Sequence, residues 1–241
     1  GNTDVLVLHG ATDAPTVDVY ESAVLGATAV DDASYGDFAG YLELPTNDYV
    51  LQVRTADNAA IVATYAAPLA TLGLNDAALT VLASGFLAPG DNSNGPAFGL
   101  WAALASGGAL VELPLLPNPT ARVQVIHNSA DAAASTVDVW LNDALLIDDF
   151  AFRTASPFVD APATIDFTVG IAPPTSTSAT ESIATFNYNL VAGGTYIITA
   201  NGIVSGSGYT PATPFDLYVN RSAREAAATS GNTDILVFHG C

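Results

Sequence analysis

The sequence predicts an all-β chain: two tandem antiparallel Ig-like β-sandwich modules, then one further strand that repeats the first. Three observations predict it. The opening phrase GNTDVLVLHGATDAPTVDVY, Gly1 to Tyr20, returns in weaker form as VQVIHNSADAAASTVDVW, Val123 to Trp140. Its first ten residues return again as GNTDILVFHG from Gly231, identical at eight of ten positions. Short apolar stretches recur roughly every 8–12 residues between turn residues, and no segment carries a helical period. Self-similarity at a fixed spacing decides architecture, so the expected division is 1–116 and 117–230 as two modules, with 231–241 as a repeat of residues 1–11.

The elements follow from local chemistry. Asp4 to His9 is a nearly continuous Val/Leu run, too short for a helix and expected as a strand buried on both faces. Asp13 and Pro15 punctuate the turn after it. Thr16 to Tyr20 alternates, with Val17 and Val19 on one face and Asp18 on the other. Val24 to Val30 is expected as a third strand, and Asp31 to Asp37 (DDASYGD) as an acidic loop. Phe38 to Leu44 and Tyr49 to Thr55 are expected as a hairpin turning through Pro45-Thr46-Asn47-Asp48. Ala60 to Tyr65, Leu79 to Ala83, Phe98 to Leu104 and Leu110 to Leu113 complete the first module, and Pro114 to Pro119 is the linker. The second half replays this order. Ile183 to Phe186 echoes Val62 to Tyr65, Tyr196 to Gly202 echoes Leu79 to Gly85, and Phe215, Leu217 and Tyr218 echo Phe98, Leu100 and Trp101.

Composition excludes several functions. There are 24 acidic residues against five basic ones, none of them Lys, for a net charge of −19. Such a chain repels nucleic acid and anionic membranes, and it has no lysine for a phosphate loop or a Schiff base. No apolar run approaches the roughly 20 residues that cross a bilayer, so no membrane insertion is expected. The one cysteine, Cys241, allows no internal disulfide. The chain opens directly in a strand-like segment, so any signal peptide is expected to have been removed or to lie upstream.

The phrase hydrophobic-x-hydrophobic-hydrophobic-His, followed by Asp-Ala-Pro and Val-Asp-Val-aromatic, resembles the DUF4397 family. His9, Asp13, Ala14, Pro15, Val17, Asp18, Val19 and Tyr20 carry it in the first copy. His127, Asp131, Ala132, Val137, Asp138, Val139 and Trp140 carry it in the second, which lacks the proline and has a loop two residues longer. Phe38 to Pro45 with Asp48 to Val53 is also similar to the family. The resemblance implies a secreted or cell-surface prokaryotic β-sandwich, often in tandem, and no reaction.

Candidate sites are few. His9, Asp13 and Asp18, echoed by His127, Asp131 and Asp138, could take a cation, but the three residues more readily tie down a strand-turn-strand corner. Asp31, Asp32 and Asp37 are weak calcium candidates without EF-hand spacing, echoed by Asp148 and Asp149. No nucleophile elbow, zinc-protease motif, Walker A loop or dinucleotide fingerprint is present. The expectation is therefore not an enzyme, with no catalytic residue and no cofactor beyond calcium. The residues expected to carry function are Thr233, Asp234, Ile235, Leu236, Val237, Phe238 and His239, an apolar strand without a module of its own. It must pair with an adjacent module or an identical unit, or aggregate. The expected function is a structural module of an extracellular fibre, filament or stalk. The alternative is an adhesin-type module binding glycan or protein, through loops such as Gly90 to Gly95 and Ile171 to Thr180, or through Trp101, Trp140, Tyr41 and Tyr49 if exposed.

Overall fold

Alternate aliphatic residues give the strands their inward faces, and these faces build the fold in a computed structural model that describes residues 1–240. The chain divides into two compact units, Gly1–Asn118 and Pro119–Cys241. The first contains β1 (Asn2–His9), β2 (Val17–Glu21), β3 (Ala27–Ala33), β4 (Phe38–Pro45), β5 (Asp48–Thr55), β6 (Ile61–Pro68), β7 (Ala78–Ser84), β8 (Gly99–Leu104), β9 (Val111–Glu112) and β10 (Leu115–Leu116). The second contains β11 (Thr120–His127), β12 (Thr136–Leu141), β13 (Ala144–Ala151), β14 (Thr154–Ala155), β15 (Val159–Pro162), β16 (Asp166–Ala172), β17 (Ala184–Asn189), β18 (Thr195–Asn201) and β19 (Asp216–Asn220). Among the described residues there is no α-helix, only three short 3₁₀ turns, and no helix long and apolar enough to cross a membrane.

The first unit is a sandwich of the sheets β4-β1-β7-β8-β9 and β10-β6-β5-β2-β3. Its core lies between them, with Val5, Leu79, Val81, Leu100 and Ala102 from one sheet against Val17, Tyr49, Val53 and Tyr65 from the other. The second unit repeats the strand order. β14 and β15 share the edge beside β11, followed by β18 and β19, and β13-β12-β16-β17 form the opposite sheet. Val123, Val125, Val137, Val139, Phe167, Ile198 and Leu217 fill its core.

Four expectations are corrected. The sheets are mostly antiparallel, but β1 runs parallel to β7 and β11 to β18. The chain leaves β1 for the opposite sheet, returns as β4 on one flank, and crosses again before arriving as β7 on the other. Central β1 is buried at Thr3, Val5 and His9 but only half-buried at Leu6, Val7 and Leu8, so it is not covered on both faces. The stretch from Phe38 to Thr55 is a corner, not a hairpin, because β4 pairs with β1 and β5 with β2 and β6. Tyr49, 2% exposed, anchors that corner by donating its hydroxyl to the Pro45 carbonyl. Asp31 and Asp32 belong to β3 instead of a loop, since a bulge at Asp32 lets the strand continue past two acidic residues.

The C-terminal repeat, expected to pair with a neighbouring unit, is a separate case. Residues 231–240 form no strand within the chain. The slot that β1 fills in the first unit, between β4 and β7, is filled in the second by β11 between β14/β15 and β18. A second β1-type sequence therefore has no slot to enter here.

Candidate functional site

The two His-Asp-Asp sets occupy matching places, and each is spent on holding its own unit. His9 ends β1 and His127 ends β11, at 3% and 1% exposure. A carbonyl oxygen can only accept, so Nε2 of each ring carries the proton: His9 donates to Pro15 O at 3.1 Å and His127 to Ala134 O at 2.7 Å. Nδ1 of His127 then accepts from the Ser129 amide at 3.3 Å, which completes the hydrogen bonding of a neutral ring. In the first unit Nδ1 of His9 is buried without a hydrogen-bond partner. Burial pushes the His127 imidazole below its ordinary pKa, against the opposing pull of the Ala134 carbonyl.

The carboxylates point elsewhere. Asp13 accepts from the Leu87 and Ala88 amides, each at 2.9 Å, and from Asn92 Nδ2 at 3.0 Å, tying the first turn to the loop before β8. Asp131 does the same work more completely. It accepts from the amides of Ala133, Val204 and Ser205, from Ser205 Oγ at 2.9 Å and from the Tyr209 hydroxyl at 3.0 Å. Burial would raise its pKa, but these donors outweigh burial and hold it well below the usual carboxylate range. Asp18 and Asp138 lie on the neighbouring strands and accept from the Asp32 amide at 2.8 Å and the Asp149 amide at 3.0 Å. Asp138 has further support: Ser176 Oγ donates to it at 2.6 Å, and Trp140 Nε1 donates to that oxygen at 2.9 Å. The sets do not converge on a common point that a cation could fill.

Nor are the calcium candidates gathered. Asp37 turns its carboxylate to the Ser34 amide at 2.9 Å, while Asp31 and Asp32 lie along β3. Three carboxylates do approach within 4.8 Å of one another at Asp138, Asp148 and Asp149, where Asp138 is buried and the other two exposed. Of the four aromatics considered as a platform, Trp140 and Tyr49 are buried. Tyr41 is 61% exposed and stands on the outer face of the sheet that holds Trp101.

Sequence reasoning missed Glu21. At 1% exposure it ends β2 and accepts from the amides of Ala23, Val24, Leu25 and Val50, folding the turn to β3 around one carboxylate. Its partners are all backbone groups, so no residue pattern marks it.

Within Thr233 to His239, the residues from Thr233 to Phe238 rest against the surface made by β11, β18, β19 and the loop that follows β19. Leu236, Val237 and Phe238 line a surface hollow with Ile126, Ile197, Thr199 and Tyr218. The Phe238 ring meets that of Tyr218 at 5.5 Å. Asp234 pairs with Arg224 and accepts from the Ala228 amide at 3.0 Å. This seat leaves much uncovered: Ile235 is 80%, Leu236 57%, Val237 84% and Phe238 44% exposed. Cys241 lies outside the described residues.

No curated protein matches the chain. A solved structure described as "Alpha-glucan binding by a streptococcal virulence factor" is 12% identical, covering 86% of this chain and 96% of that one with a TM-score of 0.23. At that TM-score nothing of the other protein's binding passes to this chain. A family model described as "Domain of unknown function (DUF4397)" matches residues 3–94 and 121–240. Matched over most of its length in those two segments, the chain belongs to the DUF4397 family.

Proposed function

We propose that the chain is a non-enzymatic structural part of a secreted or cell-surface prokaryotic fibre, filament or stalk. It is built from two tandem Ig-like modules and is joined to its neighbours by strand pairing through Thr233 to His239. One observation carries this reading. The segment from Gly231 copies a central strand, yet Ile235 is 80% exposed where its counterpart Val5 is 6% exposed. Burying an aliphatic or aromatic side chain of this size stabilises by about 1.5–3 kcal/mol, and four stand in a row. A strand contributed to the next unit buries them and satisfies its backbone groups at once. The next unit is either the following module of one longer chain or another subunit.

The test is deletion of residues 231–241, scored by electron microscopy and sedimentation. Assembly is expected to be lost while far-UV circular dichroism stays that of a β-protein. Assembly of the deleted chain at the wild-type level would dismiss the proposal.

A further inference from the structure

The two units share a strand order but differ inside. Between its sheets the first encloses about 60 Å³ and the second about 440 Å³. Three differences account for the gap. Leu44 and Leu42 of β4 lie opposite Thr3 and Val5, and the matching places opposite Ala121 and Val123 hold only Ala161 and Val159. The five-residue turn from Ser22 to Gly26 places Leu25, 42% exposed, at the mouth of the first cavity, while the second unit turns through Asn142-Asp143, neither of which lines the second. β4 is also continuous over eight residues, whereas its counterpart is broken into β14 and β15.

The result is an apolar cleft between β13 and β15. Leu146, Ile147 and Phe150 form one wall, Val159 and Ala161 the other, and Phe167 lies within. Its volume falls in the range of about 300–1,000 Å³ found for ligand pockets. Water gains no hydrogen-bond partners from such walls. The polar groups at the rim are already engaged: Ser156 Oγ with Pro157 O and the Val125 amide, Asp160 with Arg122. Beside the cleft runs a free strand edge, since among the described residues β13 pairs with β12 alone and leaves Leu145 and Leu146 at 44% and 43% exposure. An apolar cavity flanked by an unpaired edge is what an added strand requires: main-chain pairing for affinity and a pocket for alternate side chains.

The molecule also carries a matching donor. Resting on the assembly reading above, we infer that the β13–β15 cleft of the second unit is the acceptor for Thr233 to His239 of a second copy of this chain. Ile235 to Phe238 are apolar on both faces, so one alternate pair enters the cleft and the other covers it. The segment's seat beside Tyr218 is then a resting position that it leaves on assembly.

The test fills the cleft with the first unit's own residues. The full-length double variant Val159→Leu/Ala161→Leu is expected to keep its thermal midpoint at or above wild type and to lose at least tenfold of its assembly. Because added volume can disturb a core, a second variant places one cysteine on each side: Ala161→Cys with Val237→Cys, in a Cys241→Ser background. Oxidation is expected to give ladders of disulfide-linked copies only when both cysteines are present. Absence of linked copies, or a link formed only within one chain, overturns the inference. If deletion of residues 231–241 stops assembly while the filled variant assembles normally, this acceptor is wrong and the assembly reading stands. If neither change matters, both fall. A stoichiometric aliphatic molecule extracted from wild type, absent from the filled variant, with assembly unchanged, would make the cleft a small-molecule site and overturn the inference as well.

Discussion

Asp32 and Asp149 sit in the left-handed region at φ 51° and 52°, at matching bulges in β3 and β13. A bulged residue loses its ladder partner, and the carboxylates of Asp18 and Asp138 take over the orphaned amides. Truncating either acceptor leaves a part-buried N–H unmatched, so Asp18→Ala and Asp138→Ala are each expected to cost about 1–3 kcal/mol in urea unfolding. A cost near zero for both would mean that the bulges hold themselves. The buried turn of the second unit adds a pH dependence. Burial lowers the His127 pKa, so below its ordinary value of 6.5 the unfolded chain takes up a proton that the folded ring refuses. Stability is full above that value and falls as the pH drops through it. Asp131, held low by its donors, contributes above its ordinary value of 3.8 and loses that contribution as the pH falls further. Both slopes have one sign. The unfolding midpoint of the second unit is expected to drop in two acid steps, and His127→Gln is expected to flatten the first.

At the scale of the strand, the contrast between the units is a contrast between β4 and the β14–β15 pair. Leu42 and Leu44 reach into the first core and help to close it. Leu44→Ala should reopen that space and cost roughly 2 kcal/mol or more, read as a fall in the denaturation midpoint of the first unit only. The sequence pattern made much of this legible. Val/Leu runs ending in His marked β1 and β11, and alternation marked β2 and β12. It could not show that β4 and β5 lie in different sheets, because Pro45-Thr46-Asn47-Asp48 serves a corner as readily as a hairpin. Asp31 and Asp32 read as loop because strand propensity disfavours Asp, and the bulge that accommodates them depends on Asp18, fourteen residues away in sequence. The C-terminal segment was legible as a copy of β1. That it forms no strand was not, since a strand exists only beside a neighbour and the neighbouring slot is taken by β11.

For the molecule as a whole, charge sets the conditions of association. The 24 acidic residues are offset by five arginines and no lysine, which leaves a net charge of −19. Three of the ion pairs, Arg122 with Asp160 and Glu225 and Arg224 with Asp234, lie at the surface, where such pairs contribute little. Self-repulsion therefore outweighs specific pairing in the folded chain, and two copies brought together repel more strongly still. Salt shortens that repulsion: the Debye length falls from about 30 Å at 0.01 M to about 8 Å at 0.15 M. Strand pairing and apolar burial are not screened in this way. Raising sodium chloride from low to physiological strength is thus expected to raise the thermal midpoint modestly and to accelerate assembly strongly. If surface ion pairs dominated, the same titration would lower both. The measurement is light scattering against salt, run beside the chain lacking residues 231–241. The deleted chain should gain thermal stability from salt as the intact one does, yet gain no scattering, because screening removes a barrier to contact without supplying the strand that makes contact last.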